Sequence, residues 1–245
     1  MEKSKAVDFI HDLLRNMVDR NGSDLFITAG TPPSMKVDGK VSRITTQALT
    51  ANHTQVFVRS LMNDRQLSEF EETQEANFAI QVPGLSRFRV SSFIQQGNYG
   101  MVIRKLSMEI PSLRSLNLPD VLKNISLTKR GLVLVVGATG SGKSSTLAAM
   151  IGMRNELSHG HIITVEDPIE FVHEHKNCIV TQREVGVDTE SYHVALKNTL
   201  RQSPDVIFLG EVRDMDTMEH AMTFAETGHL CLTTLHANSA NQALE

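Results

Sequence analysis

The chain has 245 residues, 40% hydrophobic and 21% charged, which suits one large or two small packed domains and excludes a mainly disordered chain. A net charge of −4 carries no footprint of a dedicated nucleic-acid binder, and two cysteines set no disulfide framework and fit a reducing cytoplasm. No run approaches the roughly 18 apolar residues of a membrane span, so a soluble protein is expected, with any membrane contact made through a partner rather than by direct insertion.

In chain order, Val7, Ile10, Leu13, Leu14, Met17 and Val18 share one helical face, and Asn21-Gly22 supplies a stop. "SDLFITAG" and "PSMKVDGKVSRI" then read as strands with turns at "TPP" and "DG". One helix is expected from Thr50 to about Phe70, followed by strands in "NFAIQV", "SRFRVSSFI" and "MVIRKL". The first hundred or so residues thus read as a small α+β unit of antiparallel hairpins, and Ile110 to Pro119 as a connector.

From Gly131 the pattern changes. "GLVLVVG" is a continuous apolar run, as in a parallel strand buried on both faces. "HIITVED", "CIVTQ", "DVIFLGE" and "HLCLTTLH" repeat the theme, separated by helical stretches. One of these carries Tyr192, Ala195, Leu196, Thr199 and Leu200 on a face; another carries Met215, Met218, Met222 and Ala225. Strands alternating with helices predict a parallel α/β sheet. The final "NQALE" reads as the start of a helix with no closing element after it, as in a fragment of a longer protein.

"GATGSGKS" from Gly137 to Ser144 matches G-x-x-x-x-G-K-[ST] between an apolar strand and an amphipathic helix, the context that pattern requires. Backbone N–H groups across Gly137, Ala138, Thr139, Gly140, Ser141, Gly142 and on to Ser145 are expected to surround phosphate oxygens at the positive end of the helix dipole. Lys143 is expected to reach the β and γ phosphates, and the Ser144 hydroxyl to ligate Mg²⁺. Glu211 ends "DVIFLG" at the sheet edge where open α/β sheets bind ligands, the place for an acid that handles Mg²⁺ and the attacking water. Asp205 stands at the other end of that strand.

"TVEDPIE" places Glu166, Asp167 and Glu170 at the same edge, where a carboxylate orients water for in-line attack or is simply part of an acidic loop. His229 and His236 bracket the last strand, one at each end, and either is a candidate contact to the γ phosphate or a structural histidine. His173 to His175 near Cys178 lack a second ligand pair at zinc spacing and read as a polar loop. Arg87, Arg89 and Arg104 alternate with apolar residues and are expected on one strand face, either as a solvated face or as arginine fingers for a neighbouring subunit's nucleotide.

The ordered set "GSDLFITAGTPPSMKVDG", "GATGSGKSS", "TVEDPIEF", "LRQSPDVIFLGEVRD" and "AETGHLCLTTLHANSANQA" resembles the secretion ATPases, and within them the type IV pilus retraction ATPases of the PilT and PilU type, nearer PilU in its last segment. The resemblance covers essentially the whole chain. It implies a PAS-like N-terminal domain over 1–105, a connector over 106–120 and a RecA-like ATPase core over 121–245, with a helical C-terminal region beyond. It also implies Walker A at Gly137 to Ser144, an Asp box at Glu166 to Glu170, the Walker B acid at Glu211, and a His box at His229 and His236. Further implications are ATP and Mg²⁺ as cofactors, ATP held between the domains, Arg89 and Arg104 as fingers, and a cytoplasmic homo-hexamer beneath the inner-membrane pilus platform protein. A PilT-type paralogue is an implied partner, and pilus retraction in twitching motility the implied output.

Other readings fit less well. A small-molecule kinase needs an acceptor pocket and an arginine-bearing lid, a GTPase needs N-K-x-D, and a helicase needs a basic, aromatic strand path; none is found. A nucleotide-dependent adaptor with little activity of its own remains open.

Overall fold

The computed structural model describes residues 3–106, 109–237 and 239–243. In it the first periodic stretch forms helix α1 (Lys3–Asp19), which buries Ala6, Ile10, Leu13, Leu14 and Met17. Asn21, in the left-handed region at φ 54°, then turns the chain away. The chain divides into two units, Met1–Ser107 and Met108–Glu245.

The first unit is built on a six-stranded antiparallel sheet. Its strands are β1 (Asp24–Thr28), β2 (Ser34–Val37), β3 (Lys40–Arg43), β4 (Glu75–Val82), β5 (Ser86–Gln95) and β6 (Asn98–Lys105), in the order β3-β2-β1-β6-β5-β4. Asp38 and Gly39 both take positive φ, as the tight β2–β3 turn demands. Along β5 the alternation puts Phe88 and Val90 in the core. Arg89 then stands directly opposite Arg104 of β6 on the other face. The single helix expected from Thr50 to Phe70 is two, α2 (Ala51–Leu61) and α3 (Asp64–Thr73). Asn63 explains the break: its side chain accepts from Gln66 N while Gln66 reaches back to Asn63 N, a capping box that restarts the helix.

The second unit carries α4 (Val121–Ser126), which the sequence pattern did not single out, and then an all-parallel sheet. Its strands are β7 (Gly131–Val136), β8 (Gly160–Glu166), β9 (Cys178–Glu184), β10 (Val206–Val212) and β11 (Leu230–Leu235), ordered β7-β11-β10-β8-β9. Helix α5 (Lys143–Leu157) covers one face, packing Leu147 and Met150 with Val206, Phe208 and Leu230. Helices α6 (Tyr192–Thr199) and α7 (Met215–Glu226) cover the other, packing Leu196 and Phe224 with Ile207, Leu209 and Cys231. The alternation of Val206 and Phe208 against Ile207 and Leu209 therefore feeds two cores, the layered α/β arrangement predicted from the strand-helix rhythm.

Two further expectations need correction. β7 is not buried on both faces: it is the outer strand of the sheet and is half-buried along its length. The methionine face of α7 is turned outward, with Met215 82% and Met222 45% exposed, because the stripe Thr217, Ala221 and Phe224 is the one that seats on the sheet. Near the last described residues Ala243 N donates to Ser239 O at 3.2 Å, an i to i+4 bond, and Ser239 Oγ accepts from Gln242 N at 3.2 Å; residues 244–245 of the expected helix lie outside the described residues.

Candidate functional site

Because all five strands of the second unit run parallel, the segments leaving their C-terminal ends emerge at one sheet edge. The loop 137–142 leaves β7 there and hands over to α5. Gly140 and Gly142 sit at φ 78° and 92°, a conformation that costs a side-chain-bearing residue roughly 1–2 kcal/mol. Gly142 is also the N-cap of α5, so Lys143, Ser144 and Ser145 fall on the first helical turn. The buried Lys143 ammonium folds back onto the loop and donates to the Gly137 carbonyl at 2.9 Å and the Ala138 carbonyl at 3.0 Å.

Glu211 is the penultimate residue of β10, two strand spacings from β7 or about 10 Å across the sheet. Burial pushes its carboxyl up, but Arg213, which donates Nε to Oε1, and His236, whose Nε2 lies 3.1 Å from Oε2, outweigh it and hold the group below the usual carboxylate range. Arg213 also donates Nη1 to Asp167 Oδ2 at 2.9 Å. One guanidinium thus joins the carboxylate near the end of β10 to the carboxylate after β8.

Glu166 behaves differently. It is buried, and desolvation lifts its carboxyl to about 7, against the lowering influence of the Thr164 hydroxyl (2.7 Å), the Gln182 amide (3.2 Å) and the Glu170 backbone N–H. Its bonds tie it to its own sheet, the geometry of a group that sets the loop 167–170 in place. Glu170, at the far end of that loop, is half-buried. Tyr192, first residue of α6, lies beneath this cluster: its hydroxyl is buried without a hydrogen-bond partner among the described residues, and a Cβ placed on Gly210 would sit 3.0 Å from it. Burial, and then the charge of Asp167, push its phenol well above the ordinary value.

The loop Gly137 to Ser145, Glu166, Glu170, Glu211 and His236 thus share one sheet edge. His229 does not. It precedes β11, so the six-residue strand, about 20 Å long, separates it from that edge, and its Nδ1 is engaged by Phe224 O and Thr227 Oγ1, both at 3.2 Å. A contact from His229 to a phosphate held by the loop of its own unit is excluded by that distance. Asp205 is likewise at the opposite edge, accepting from His161 N at 2.8 Å. In the first unit, Arg104 Nε is committed to Asp24 at 2.8 Å, across the sheet row that also carries Arg89. His173 and His175 lie in the loop before β9: the His173 backbone N–H donates to Gln182 Oε1 at 2.6 Å, and His175 Nδ1 accepts from Val180 N at 3.1 Å, while the buried His173 Nδ1 has no hydrogen-bond partner among the described residues. The motif readings missed Arg213 and Tyr192; the one available signal was Arg213 two positions after Glu211, on the same side of an extended chain.

The donor set fits a magnesium ion. A hydroxyl at Ser144 and an ionised carboxylate at Glu211 are hard oxygen ligands, and Mg²⁺ is typically held by one or two such groups together with substrate phosphates.

The profile of the type II/IV secretion system protein family matches residues 1–245. The chain belongs to that family. Among secretion-family relatives, the type IV pilus ATPase PilU of Pseudomonas aeruginosa is 62% identical over 233 residues, covering 95% of this chain and 61% of the relative. The type IV pilus retraction ATPase PilT of the same organism is 45% identical, covering 96% of this chain and 69% of the relative. The crystal structure of the pilus retraction motor PilT with bound ADP superposes with a TM-score of 0.90 at 42% identity, covering 95% of this chain and 68% of that one. The chain therefore spans about two thirds of the length of these secretion-family relatives. Among the described residues, no helix is long and apolar enough to cross a membrane.

Proposed function

We propose that the protein hydrolyses ATP at this sheet edge and that the full-length chain uses the reaction to power type IV pilus retraction. The observation that supports it most is the meeting of a phosphate-type loop with an ionised Glu211 held between Arg213 and His236. A binding module needs the loop alone. A hydrolase also needs an acid that stays charged at neutral pH and a second carboxylate able to orient water.

In this reading Lys143 leaves the Gly137 and Ala138 carbonyls for the β and γ phosphates, and the loop N–H groups from Gly137 to Ser145 surround them. Ser144 and Glu211 hold Mg²⁺, which neutralises charge on the phosphate oxygens. Glu170, with Glu211, orients water for in-line attack on the γ-phosphorus. Glu166 fixes the segment that presents Glu170. His236 reports to Glu211 from β11, and Arg213 couples the two carboxylate loops. Arg89 and Arg104 serve a neighbouring subunit's nucleotide in a homo-hexamer. The ring sits at the cytoplasmic face of the inner membrane, against the pilus platform protein and with a PilT-type paralogue. The PilT and PilU names of the relatives support the pilus assignment.

The test is phosphate release by the full-length protein, with and without a PilT-type partner, over concentrations that span assembly. Mg-dependent turnover that rises with assembly is expected. Normal ATP binding with no phosphate release under either condition would overturn the motor reading in favour of a nucleotide-dependent adaptor.

A further inference from the structure

On the face of the second unit covered by α6 and α7, His193, Asp216 and His220 bring one ligand atom each to within 4.8 Å of one another. We propose that these three residues form a transition-metal site, best suited to Zn²⁺, that clamps α6 to α7. None of the three residues is among those assigned to the phosphate loop or the carboxylates, and the proposal does not depend on the proposed activity.

Asp216 and His220 are four residues apart on α7, so they project from the same helical face one turn apart. His193 comes from the facing turn of α6 and already places Nδ1 3.1 Å from Asp216 Oδ2. Tetrahedral zinc bonds of 2.0–2.1 Å set neighbouring ligand atoms about 3.3 Å apart, so this edge of the polyhedron is in place. His220 has to close only about 1.5 Å from the widest spacing, within reach of a side-chain rotation, and its ring meets His193 edge-on with centroids 6.0 Å apart. Its other neighbour is the core residue Phe224, at 5.9 Å, which steadies the ring. Two imidazoles and one carboxylate with an outward-facing fourth position suit zinc among the divalent ions, whereas Mg²⁺ asks for more oxygen ligands. A surface histidine-aspartate hydrogen bond accounts for His193 and Asp216 by themselves. It does not account for a second imidazole converging on the same carboxylate.

The clamp joins two helices that begin at the candidate site. Tyr192, next to His193, lies beneath Gly210, and Asp214, which caps α7 through Thr217, directly follows Arg213. Metal binding would therefore restrain the helix starts behind both carboxylate loops.

The experiment is Zn²⁺ binding, in competition with a chromophoric chelator, by the full-length protein free of any histidine tag and without nucleotide, paired with thermal unfolding with and without Zn²⁺. One equivalent should bind and raise the unfolding temperature. His193→Gln, Asp216→Asn and His220→Gln, all at solvent-accessible positions and checked for native circular dichroism, should each weaken binding by more than the roughly 10–100-fold that even an outer-shell partner costs, and abolish the thermal shift. Unchanged affinity and stoichiometry in the variants, or no binding by the wild type against the chelator, would overturn the proposal.

Discussion

Arg213 reaches Asp167 at 2.9 Å, joining the loop after β8 to the end of β10, while the same guanidinium holds Glu211. Asp167 and Glu211 are therefore neighbours through a shared cation. Arg213→Gln removes that cation and leaves two carboxylates at the same edge. With hydrogen bonds to charged groups worth about 1.5–3 kcal/mol, turnover should fall roughly 10–100-fold while nucleotide affinity changes far less. Phosphate release together with fluorescent-nucleotide titration measures both, and wild-type turnover in the variant would refute the coupling.

Lys143→Ala should weaken ATP binding by on the order of 100-fold, the loss expected when charge-assisted contacts to phosphate are removed. Tight ATP binding by a folded Lys143→Ala protein would sink the assignment of the loop.

Glu166 gives a pH signature. Its ordinary value is 4.5 and its folded value about 7, so between these the folded chain keeps a proton that the unfolded chain releases. The stability tied to that proton is fully present below about pH 4.5 and is lost as pH rises through 7. Gln mimics the neutral acid at every pH. The stability of Glu166→Gln relative to wild type should therefore rise by about 2 kcal/mol from pH 5 to pH 8, read from denaturant midpoints. A difference independent of pH would show that the carboxyl is not desolvated.

Tyr192→Phe deletes a buried hydroxyl that has no partner among the described residues. Relief of that desolvation should raise stability by about 1 kcal/mol with turnover retained. A loss of turnover at unchanged stability would instead assign the hydroxyl a part in the reaction.

The strand-loop-helix shape around 137–142 was legible because its signals are local: glycines at fixed offsets, with an apolar strand before them and a helix after. The position of Glu211 near the C-terminal end of β10 was legible for a related reason, since a long apolar run marks a buried strand and the first acid after it falls close to the strand's end. The split of α2 from α3 hinged on one side chain, Asn63, whose capping bonds compete with continuing the helix. The orientation of α7 was misread because Met215, Met218 and Met222 repeat at helical spacing as regularly as Thr217, Ala221 and Phe224 do, and hydrophobicity favoured the wrong stripe. His229 and His236 look equivalent in sequence, and only strand direction separates them. Arg213 to Asp167, and His193 to His220, are meetings across 46 and about 27 positions respectively, which periodicity does not encode.

The fold-back of Lys143 onto the carbonyls of Gly137 and Ala138 makes the loop a charge filter. The ammonium already has two neutral acceptors, so an arriving anion is judged by what it offers beyond them. A weakly charged anion gains little by the exchange, whereas a polyphosphate chain, with several ionised oxygens that also meet the loop N–H groups, gains at many points together. In the proposed reading, discrimination against small anions is thus written into the resting position of one side chain.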